Sequence, residues 1–446
     1  MSALVKTLSG WKGAAVPQTG TGGGPVRLPA GGVPVRGMAG AGLLVAVGYV
    51  DPGNWATDMA GGSLHGYGLL SVVAVACLLA MAIQLLVARV TLATGADLAT
   101  LTSRHMPRPV ALGIWLAGEA AIVATAVAEL TGGAVALLLL FGLPLAFGLI
   151  LTAVGSILLM MHTHARGQQA LETCINVLIA IVAVSFLLLV LKVGPDWSAA
   201  AAGIAETPRA LSDKAGLLLA IGIVGATIMP HNLYLHSGLI ADRARHLVDA
   251  DKDKALRIAS IDTMAALGLA MLVNMAIMIV AAASLGGSRF DVTSLAGAHQ
   301  AIAVALGVGP ALVFAIALYA AGQSSAITGM LAGRVLIQGF HGKKGATPAA
   351  HSTPWLRGIV TRIIAVVIAT MMLTGGAAGA DGLLVLSQTV LGMALPFVLV
   401  PLIVFAARRD LLGRFALPRV LVGAAVITTA GLVALDLLVL TETLLG

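Results

Sequence analysis

Apolar residues dominate this chain in long uncharged runs that are separated by short polar segments. Runs of about 18 apolar residues or more are long enough to cross a ~30 Å hydrocarbon core as helices. The pattern therefore predicts an all-α membrane protein with 11 transmembrane helices. The predicted spans are 38–63, 68–92, 109–139, 143–161, 171–192, 215–240, 259–286, 303–338, 357–375, 381–406 and 417–443.

The composition agrees with a membrane protein. Only 10% of the residues are charged, against roughly 25% in soluble domains, and the mean hydropathy is +1.01. The net charge of +7 lies in short loops rather than in one basic patch with interleaved aromatic residues, which favours a bilayer over nucleic acid as the partner. Cys77 and Cys174 lie inside apolar segments, which indicates small core side chains rather than disulfides.

The distribution of basic residues predicts the orientation of the chain. With the N-terminus inside, 22 of the 26 Lys and Arg residues lie on the cytoplasmic side, as the positive-inside rule requires. Residues 1–37 then form a flexible cytoplasmic tail, and an odd number of spans places the C-terminus outside.

Two short motifs interrupt apolar segments at equivalent places. VGYVDPGN at 47–54 lies in the first segment and GATIMPHN at 225–232 lies in the sixth, and both end in x-Pro-x-Asn. Because each set contains five spans, an odd number, the second set enters the membrane from the opposite side, as in transporters built from inverted repeats. The predicted organisation is a first five-helix repeat at 38–192, an extracellular loop at 193–214, a second repeat at 215–406, and the eleventh helix with the C-terminus at 407–446.

The two motifs carry residues that can bind a metal ion. Proline removes a backbone donor, so each break frees carbonyl groups that need a lined cavity at membrane depth. Asp51 and Asn54 supply carboxylate and amide oxygen, and Met229 supplies a thioether beside the Ala226 carbonyl. Oxygen donors alone would suit Ca²⁺ or Mg²⁺, whereas a soft sulfur favours manganese, iron, cobalt or cadmium.

These motifs resemble a known family. DPGN, GATIMPHNLYLHS and AGQSSAITG at 321–329 are similar to the signatures of the Nramp family of divalent metal ion transporters, in its bacterial proton-coupled manganese branch. The resemblance implies a LeuT-like fold with 5+5 inverted repeats, broken helices 1 and 6, and an eleventh helix. It also implies import of Mn²⁺ or Fe²⁺ with H⁺ across the bacterial inner membrane, without an enzymatic activity, a cofactor or an obligatory protein partner.

The same resemblance implies a ligand set. The implied metal ligands are Asp51, Asn54, Met229 and the Ala226 carbonyl, joined by Gln388 in the occluded state, with Gln84 and Asn274 nearby.

Several polar residues in apolar surroundings are candidates for a proton path: His231, His236, Glu119, Glu129, Asp262, Arg357 and Arg362. A histidine titrates near neutrality and could pass on a proton from Asp51, and intramembrane acids and arginines often form relays. His231 is the better placed histidine, although a structural role remains open. Four other histidines fall in predicted loops and are expected to be solvated: His105, His246, His341 and His351.

The sequence departs from the family pattern along this path. The third segment reads ATAVAE, with Ala126 at the place of the first of two acids and only Glu129 retained. The ninth segment reads WLRGIVTR, where the family often has adjacent arginines, so Gly358 separates Arg357 from the later Arg362. These departures predict altered proton coupling beside a complete metal site.

Three alternative functions fit the sequence less well than metal import. A sodium-coupled transporter of an organic solute would favour glycine-rich breaks that receive a carboxylate, whereas Asp51 and Met229 occupy these breaks. A magnesium transporter of the same fold would be expected to lose the methionine. A membrane metalloprotease has little support because no H-E-x-x-H spacing occurs.

Overall fold

A computed structural model describes residues 38–245, 247–285, 294–341, 354–373 and 377–445. Within these ranges the chain is almost entirely helical and contains no strand. The helices are α1 Ala41–Ala46, α2 Pro52–His65, α3 Leu70–Thr94, α4 Leu98–His105, α5 Arg108–Phe141, α6 Leu145–Arg166, α7 Gln168–Val193, α8 Trp197–Ser212, α9 Lys214–Thr227, α10 Pro230–Ala244, α11 Lys252–Leu285, α12 Leu295–Leu306, α13 Val308–His341, α14 Pro354–Met372, α15 Ala377–Ala407, α16 Arg409–Leu412 and α17 Arg419–Leu445.

These helices account for the eleven predicted passages. Nine passages in the described ranges are long and apolar enough to cross a membrane, including the sixth passage, which combines α9 and α10. The first passage is split into α1, a 3₁₀ turn at Val47–Val50 and α2, and α14 supplies the ninth passage. The predicted tail at 1–37 lies outside the described residues.

Some predicted boundaries differ from the observed ones. The helix predicted from 259 begins at Lys252, because four charged residues in its first two turns, KDKALRI, interrupt the apolar run. The segment predicted as a loop at 193–214 contains α8, which Asp196 caps by accepting the Ser198 and Ala199 amides at 2.9 and 3.1 Å. The span predicted at 303–338 is α13, which begins at Val308 rather than at 303, because Gly307 adopts a φ of +100° and separates α13 from the shorter α12.

The prediction that His105 is solvated was wrong. His105 ends α4, a helix that the apolar pattern did not predict, and its side chain is buried. Its Nδ1 lies 3.0 Å from the Leu101 carbonyl, and its ring packs on Phe405 with 5.9 Å between ring centroids. The amphipathic turn of α4 therefore carries His105 inward. His341 is exposed at the end of α13, while His246 and His351 lie outside the described residues.

The N-terminus of α1 is held by two partners from distant helices. Asp262 on α11 accepts the amides of Gly40 and Gly42 at 2.9 and 2.7 Å. Arg243 on α10 donates to Glu172 on α7 at 2.8 Å and also to backbone carbonyls just before α1. Asp262 is thus engaged as a helix cap, a role that satisfies otherwise unpaired N–H groups.

The start of α2 is anchored in the core by Trp55. Its indole packs on Phe186 of α7 and Phe314 of α13, with ring centroids 4.7 and 5.5 Å apart. Its Nε1 donates back to the Val50 carbonyl at 3.1 Å. A fully buried tryptophan with its N–H satisfied fixes the position of the helix break just before it.

Candidate metal site at the two helix breaks

The first break positions Asp51 through the helix that follows it. Asp51 has an extended backbone, with φ −77° and ψ 164°, and is the N-cap residue of α2. Its Oδ1 accepts the Asn54 amide at 2.9 Å. Its side chain is only 1% exposed, and Oδ2 has no hydrogen-bond partner in the described part of the chain. One carboxylate oxygen is therefore fixed and the other is available to a ligand.

Side chains satisfy the backbone of the unwound segment. The Tyr49 carbonyl accepts hydrogen bonds from Nδ2 of Asn54 at 3.0 Å and from Nδ2 of Asn274 at 2.8 Å. The Val50 carbonyl accepts a hydrogen bond from Nε1 of Trp55. Because the Asn54 nitrogen is committed to Tyr49, its Oδ1 remains the end that can face a cation.

The second break has the same local design. Helix α9 ends at Thr227, Met229 is extended with φ −94° and ψ 126°, and Pro230 opens α10. Pro230 has no N–H, so the Ala226 carbonyl lacks its helical donor four residues ahead. Met229 and Ala226 are both fully buried.

Asn232 joins the two breaks and was missed by the sequence reasoning. Its Nδ2 lies 3.7 Å from the Met229 sulfur, and its amide lies directly on the backbone of Gly48 in the first break. Its Oδ1 has no partner among the described residues. Asn232 follows Met229 by three positions, as Asn54 follows Asp51, so the repeat comparison contained the signal that would have found it.

Gln388 on α15 reaches the first break from a distant helix. A Cβ placed on Gly53 would lie 2.6 Å from the Gln388 Cδ and 3.2 Å from the Asp51 Oδ2, so the amide and the carboxylate lie over the same glycine. Gln388 is 7% exposed, and neither of its amide atoms has a hydrogen-bond partner in the structure as described. Unpaired buried polar atoms are costly unless a ligand or water satisfies them.

Gln84 and Asn274 lie one layer behind these residues. Gln84 donates to the Tyr49 hydroxyl at 2.8 Å and binds Nδ1 of His236 at 2.8 Å, so both ends of its amide are engaged. His236 continues to Thr263, whose Oγ1 lies 3.4 Å from Nε2. Asn274 reaches the break through the Tyr49 carbonyl.

The remaining proton-path candidates lie on or beside α5. Nδ1 of His231 lies 3.0 Å from Oγ1 of Thr125, which is on α5. Glu129 pairs with Arg362 on α14 at 3.0 Å, and both side chains are almost fully buried. Arg362 also donates to the Ala326 carbonyl at 2.5 Å. Glu129 lies within electrostatic range of Asp51, and its Oε1 has no hydrogen-bond partner in the described ranges.

Nearer the start of α5, Glu119 forms an ion pair with Arg357, which also donates to the Gly333 carbonyl. The ion pair lies at the edge of the bundle, with both side chains partly exposed.

The two departures from the family pattern have physical correlates. Ala126 is fully buried in an apolar cluster with Ala365 and Ala369 of α14, so a methyl group packed among alanines stands where the family pattern has an acid. A Cβ placed on Gly358 would lie 2.5 Å from the Met330 sulfur, so a larger residue at this position would displace Met330.

The donor set is poor in charged ligands. In the described ranges, no three His, Cys, Asp or Glu side chains come together as a metal-binding group. The site at the breaks offers one carboxylate, with amide, carbonyl and thioether donors around it, which is a set suited to borderline-soft divalent cations.

Comparisons with known proteins place the chain in a family. The family described as natural resistance-associated macrophage protein-like matches residues 42–442. The chain is 42% identical over 402 residues to a divalent metal cation transporter, MntH, of Brucella suis, covering 89% of this chain and 86% of that protein. It is 43% identical over 410 residues to the MntH of Xanthomonas campestris, covering 91% and 90%.

Solved structures agree with this assignment. A crystal structure of the Eremococcus coleocola manganese transporter matches with a TM-score of 0.82 at 31% identity, covering 92% of this chain and 87% of the other. MhsT, solved with L-phenylalanine, matches with a TM-score of 0.57 at 18% identity, covering 90% and 97%, and shows a shared fold alone. The motifs at the two breaks, the eleven passages and these similarities together show that the chain belongs to the Nramp family.

Proposed function

We propose that this chain imports divalent transition metal ions, Mn²⁺ or Fe²⁺ and also Co²⁺ or Cd²⁺, across the plasma membrane together with protons. The printed names of its relatives, divalent metal cation transporters and a manganese transporter, support metal transport. The N-terminus lies in the cytoplasm and the C-terminus outside in this proposal, on the strength of the basic-residue count.

The observation that carries the proposal is the unsatisfied polar surface over Gly53. Asp51 Oδ2 and the Gln388 amide lie there, buried and without partners in the described part of the chain. A divalent cation would satisfy Asp51 Oδ2 and the Gln388 amide oxygen, with Asn54, the Ala226 carbonyl and Met229 completing its shell. Gln84 and Asn274 then hold the unwound Tyr49 in place rather than contacting the ion.

The burial of these groups supports a substrate position enclosed on both sides. The proposed ligands are between 0% and 7% exposed. In the LeuT-like fold the site opens alternately to each side as the broken helices move, and a residue from α15 such as Gln388 would enter the shell only on closure.

The proton route in this proposal starts at Asp51. A dication that binds there displaces any proton on the carboxylate, and Glu129 with its Arg362 partner is the acidic group within electrostatic range along α5. His231, held by Thr125, and His236, held by Gln84, are further carriers. Glu119 and Arg357 extend the route toward the start of α5.

Proteoliposomes that contain a pH dye and the purified full-length protein test both parts together. We expect external Mn²⁺ to enter and the lumen to acidify, whereas Ca²⁺ should cause neither change. Mn²⁺ entry without acidification would refute the proposed proton coupling but support metal transport. No Mn²⁺ entry at any pH would refute the function.

A further inference from the structure

A second polar cluster lies on α2 beyond Asp51, and we call Asp58, Cys77 and Asn274 the outer cluster. Asp58 follows Asp51 by seven residues, which places it on nearly the same helix face and about 10 Å further along the axis. The three side chains are 2%, 3% and 1% exposed. The site at the two breaks does not use Asp58 or Cys77.

The packing of α2 against α11 brings Asp58 level with Asn274. Gly62 of α2 lies against Met278 and Ala281 of α11, and a Cβ on Gly62 would approach Ala281 Cβ to 2.8 Å. The two helices belong to the first and seventh passages, so they run in the same direction. One turn earlier on each helix stand Asp58 and Asn274.

The third member comes from α3. Cys77 lies within electrostatic range of Asp58 and beside the Asn274 side chain. It is two turns from Gln84 on the same helix, and Gln84 belongs to the inner layer that holds Tyr49.

The cluster contains polar atoms that nothing in the described ranges satisfies. Oδ2 of Asp58 and Oδ1 of Asn274 are buried without hydrogen-bond partners, and Asp58 forms no ion pair with any described residue. The Asn274 nitrogen is committed to the Tyr49 carbonyl at 2.8 Å, so its oxygen is the free end. An uncompensated carboxylate at membrane depth is costly and calls for a bound cation or a proton.

We propose that the outer cluster binds a divalent transition metal ion, as a second position about 10 Å outward of Asp51. Its ligands are the Asp58 carboxylate, the Asn274 amide oxygen and the Cys77 thiolate. On binding, the Cys77 S–H bond breaks, the sulfur keeps the electron pair and donates it to the ion, and the proton leaves to solvent. The assignment as a position on the import path rests on the proposed function.

The charges favour occupation of both positions. Carboxylate and thiolate together neutralise a dication in the outer cluster, so it adds little repulsion toward an ion at Asp51. Sulfur at this position also excludes Ca²⁺ and Mg²⁺, which prefer oxygen. An incoming soft cation would thus be selected before it reaches the Asp51 site.

Cadmium is the probe of choice because a Cd²⁺–thiolate bond produces ultraviolet charge-transfer absorption that oxygen and thioether ligands do not give. We expect Asp51→Ala protein, purified at full length, to retain one Cd²⁺ by calorimetry and to show this absorption. Adding Cys77→Ser should abolish the absorption and weaken Cd²⁺ binding by about tenfold or more. Asp58→Asn in the same background should weaken binding to a similar degree. The matched control is Cys174→Ser, which changes the only other cysteine.

Two results would refute metal binding by the outer cluster. One is Cd²⁺ binding by the Asp51→Ala protein without charge-transfer absorption, and the other is Cd²⁺ binding that is unchanged when Cys77→Ser is added. Size-exclusion profiles that match the parent protein exclude misfolding as the cause of a loss. The proposed function is judged separately by Mn²⁺ uptake, because unchanged uptake in Asp51→Ala would refute the Asp51 site whatever the Cd²⁺ count shows.

Discussion

At the residue scale, one carboxylate and one sulfur define the chemistry at the two breaks. Asp51 is the only acidic residue in the proposed shell, and its free oxygen lies beside the Gln388 amide. Met229 stands at the matching place in the second break, with Asn232 against its sulfur. Charge and softness are therefore supplied by different residues and can be tested apart.

Replacing the carboxylate should abolish transport. In Asp51→Ala the ion loses its only anionic ligand in a buried site, so we expect Mn²⁺ affinity to fall by about 100-fold or more. Uptake of radioactive Mn²⁺ into proteoliposomes measures the loss. Asp196→Ala, which removes the exposed cap of α8, serves as a control and should keep uptake near the parent rate. Near-normal uptake by Asp51→Ala would rule out the site.

Replacing the sulfur should change selectivity more than rate. In Met229→Ala we expect Cd²⁺ transport to fall more than Mn²⁺ transport, and Ca²⁺ or Mg²⁺ to compete better, because the remaining donors are hard oxygens. Competition assays with each cation measure this. Met264→Ala, on the exposed face of α11, is the matched control. If Ca²⁺ competes no better in Met229→Ala than in the parent, the thioether contributes packing alone.

At the element scale, each break is an extended residue followed by a proline that starts a new helix. Asp51 caps α2 and Met229 precedes α10, so the proposed ligands lie directly before two new helices. Directly after the first break, Trp55 packs against Phe186 and Phe314 and anchors α2 in the core. These ring contacts position the Asp51 end of α2 in the enclosed arrangement of the site.

The close approach of α15 to the first break gives a prediction about glycine. A methyl group on Gly53 would occupy the place of the Gln388 amide, so Gly53→Ala should weaken Mn²⁺ binding by about tenfold while leaving the fold intact. Calorimetry with Mn²⁺ measures the change. Gly225→Ala, near the second break, is the matched control because open space surrounds its Cβ position. Equal affinities in the two variants would show that Gln388 does not contact the ion.

At the scale of the whole molecule, α5 and α14 carry a buried ion pair near the proposed metal site. Glu129 and Arg362 are 233 residues apart and are almost completely removed from solvent. With Ala126 packed in an apolar cluster, Glu129 is the one acid that remains of the expected pair on α5. Proton movement through the bundle should therefore depend heavily on this ion pair.

Neutralising Glu129 should separate proton movement from metal binding. In Glu129→Gln we expect Mn²⁺ still to bind while the protons moved per Mn²⁺ fall, because the relay loses its acid. The unpaired Arg362 should also lower stability by about 3 kcal/mol. Parallel pH-dye and Mn²⁺ flux assays give the ratio, and thermal unfolding in detergent gives the stability. Glu129→Gln/Arg362→Met should recover stability but not coupling; an unchanged ratio in both variants would remove Glu129 from the route.

Much of this protein is determined by signals that are local in the chain. Uncharged apolar runs set the passages, because a helix satisfies its own backbone in lipid. Pro52 and Pro230 set the breaks, because proline removes a donor wherever it falls, and the residues beside them could be proposed as ligands from the sequence alone. The spacing of the repeat also contained the signal for Asn232, which follows Met229 by three positions as Asn54 follows Asp51. Charged or interfacial helices such as α4 and α8 escaped prediction because they carry no long apolar run.

Only the tertiary structure decided which distant residues meet. Gln388 lies over Gly53, Gln84 binds His236 and Tyr49, and Asp262 caps α1 from 220 positions away. Such contacts depend on how helices pack and rotate against one another, and the choice among buried faces leaves little trace in a segment that is apolar all round. The sequence alone therefore determined the two breaks and their chemistry, whereas packing decided which amides, acids and arginines surround them.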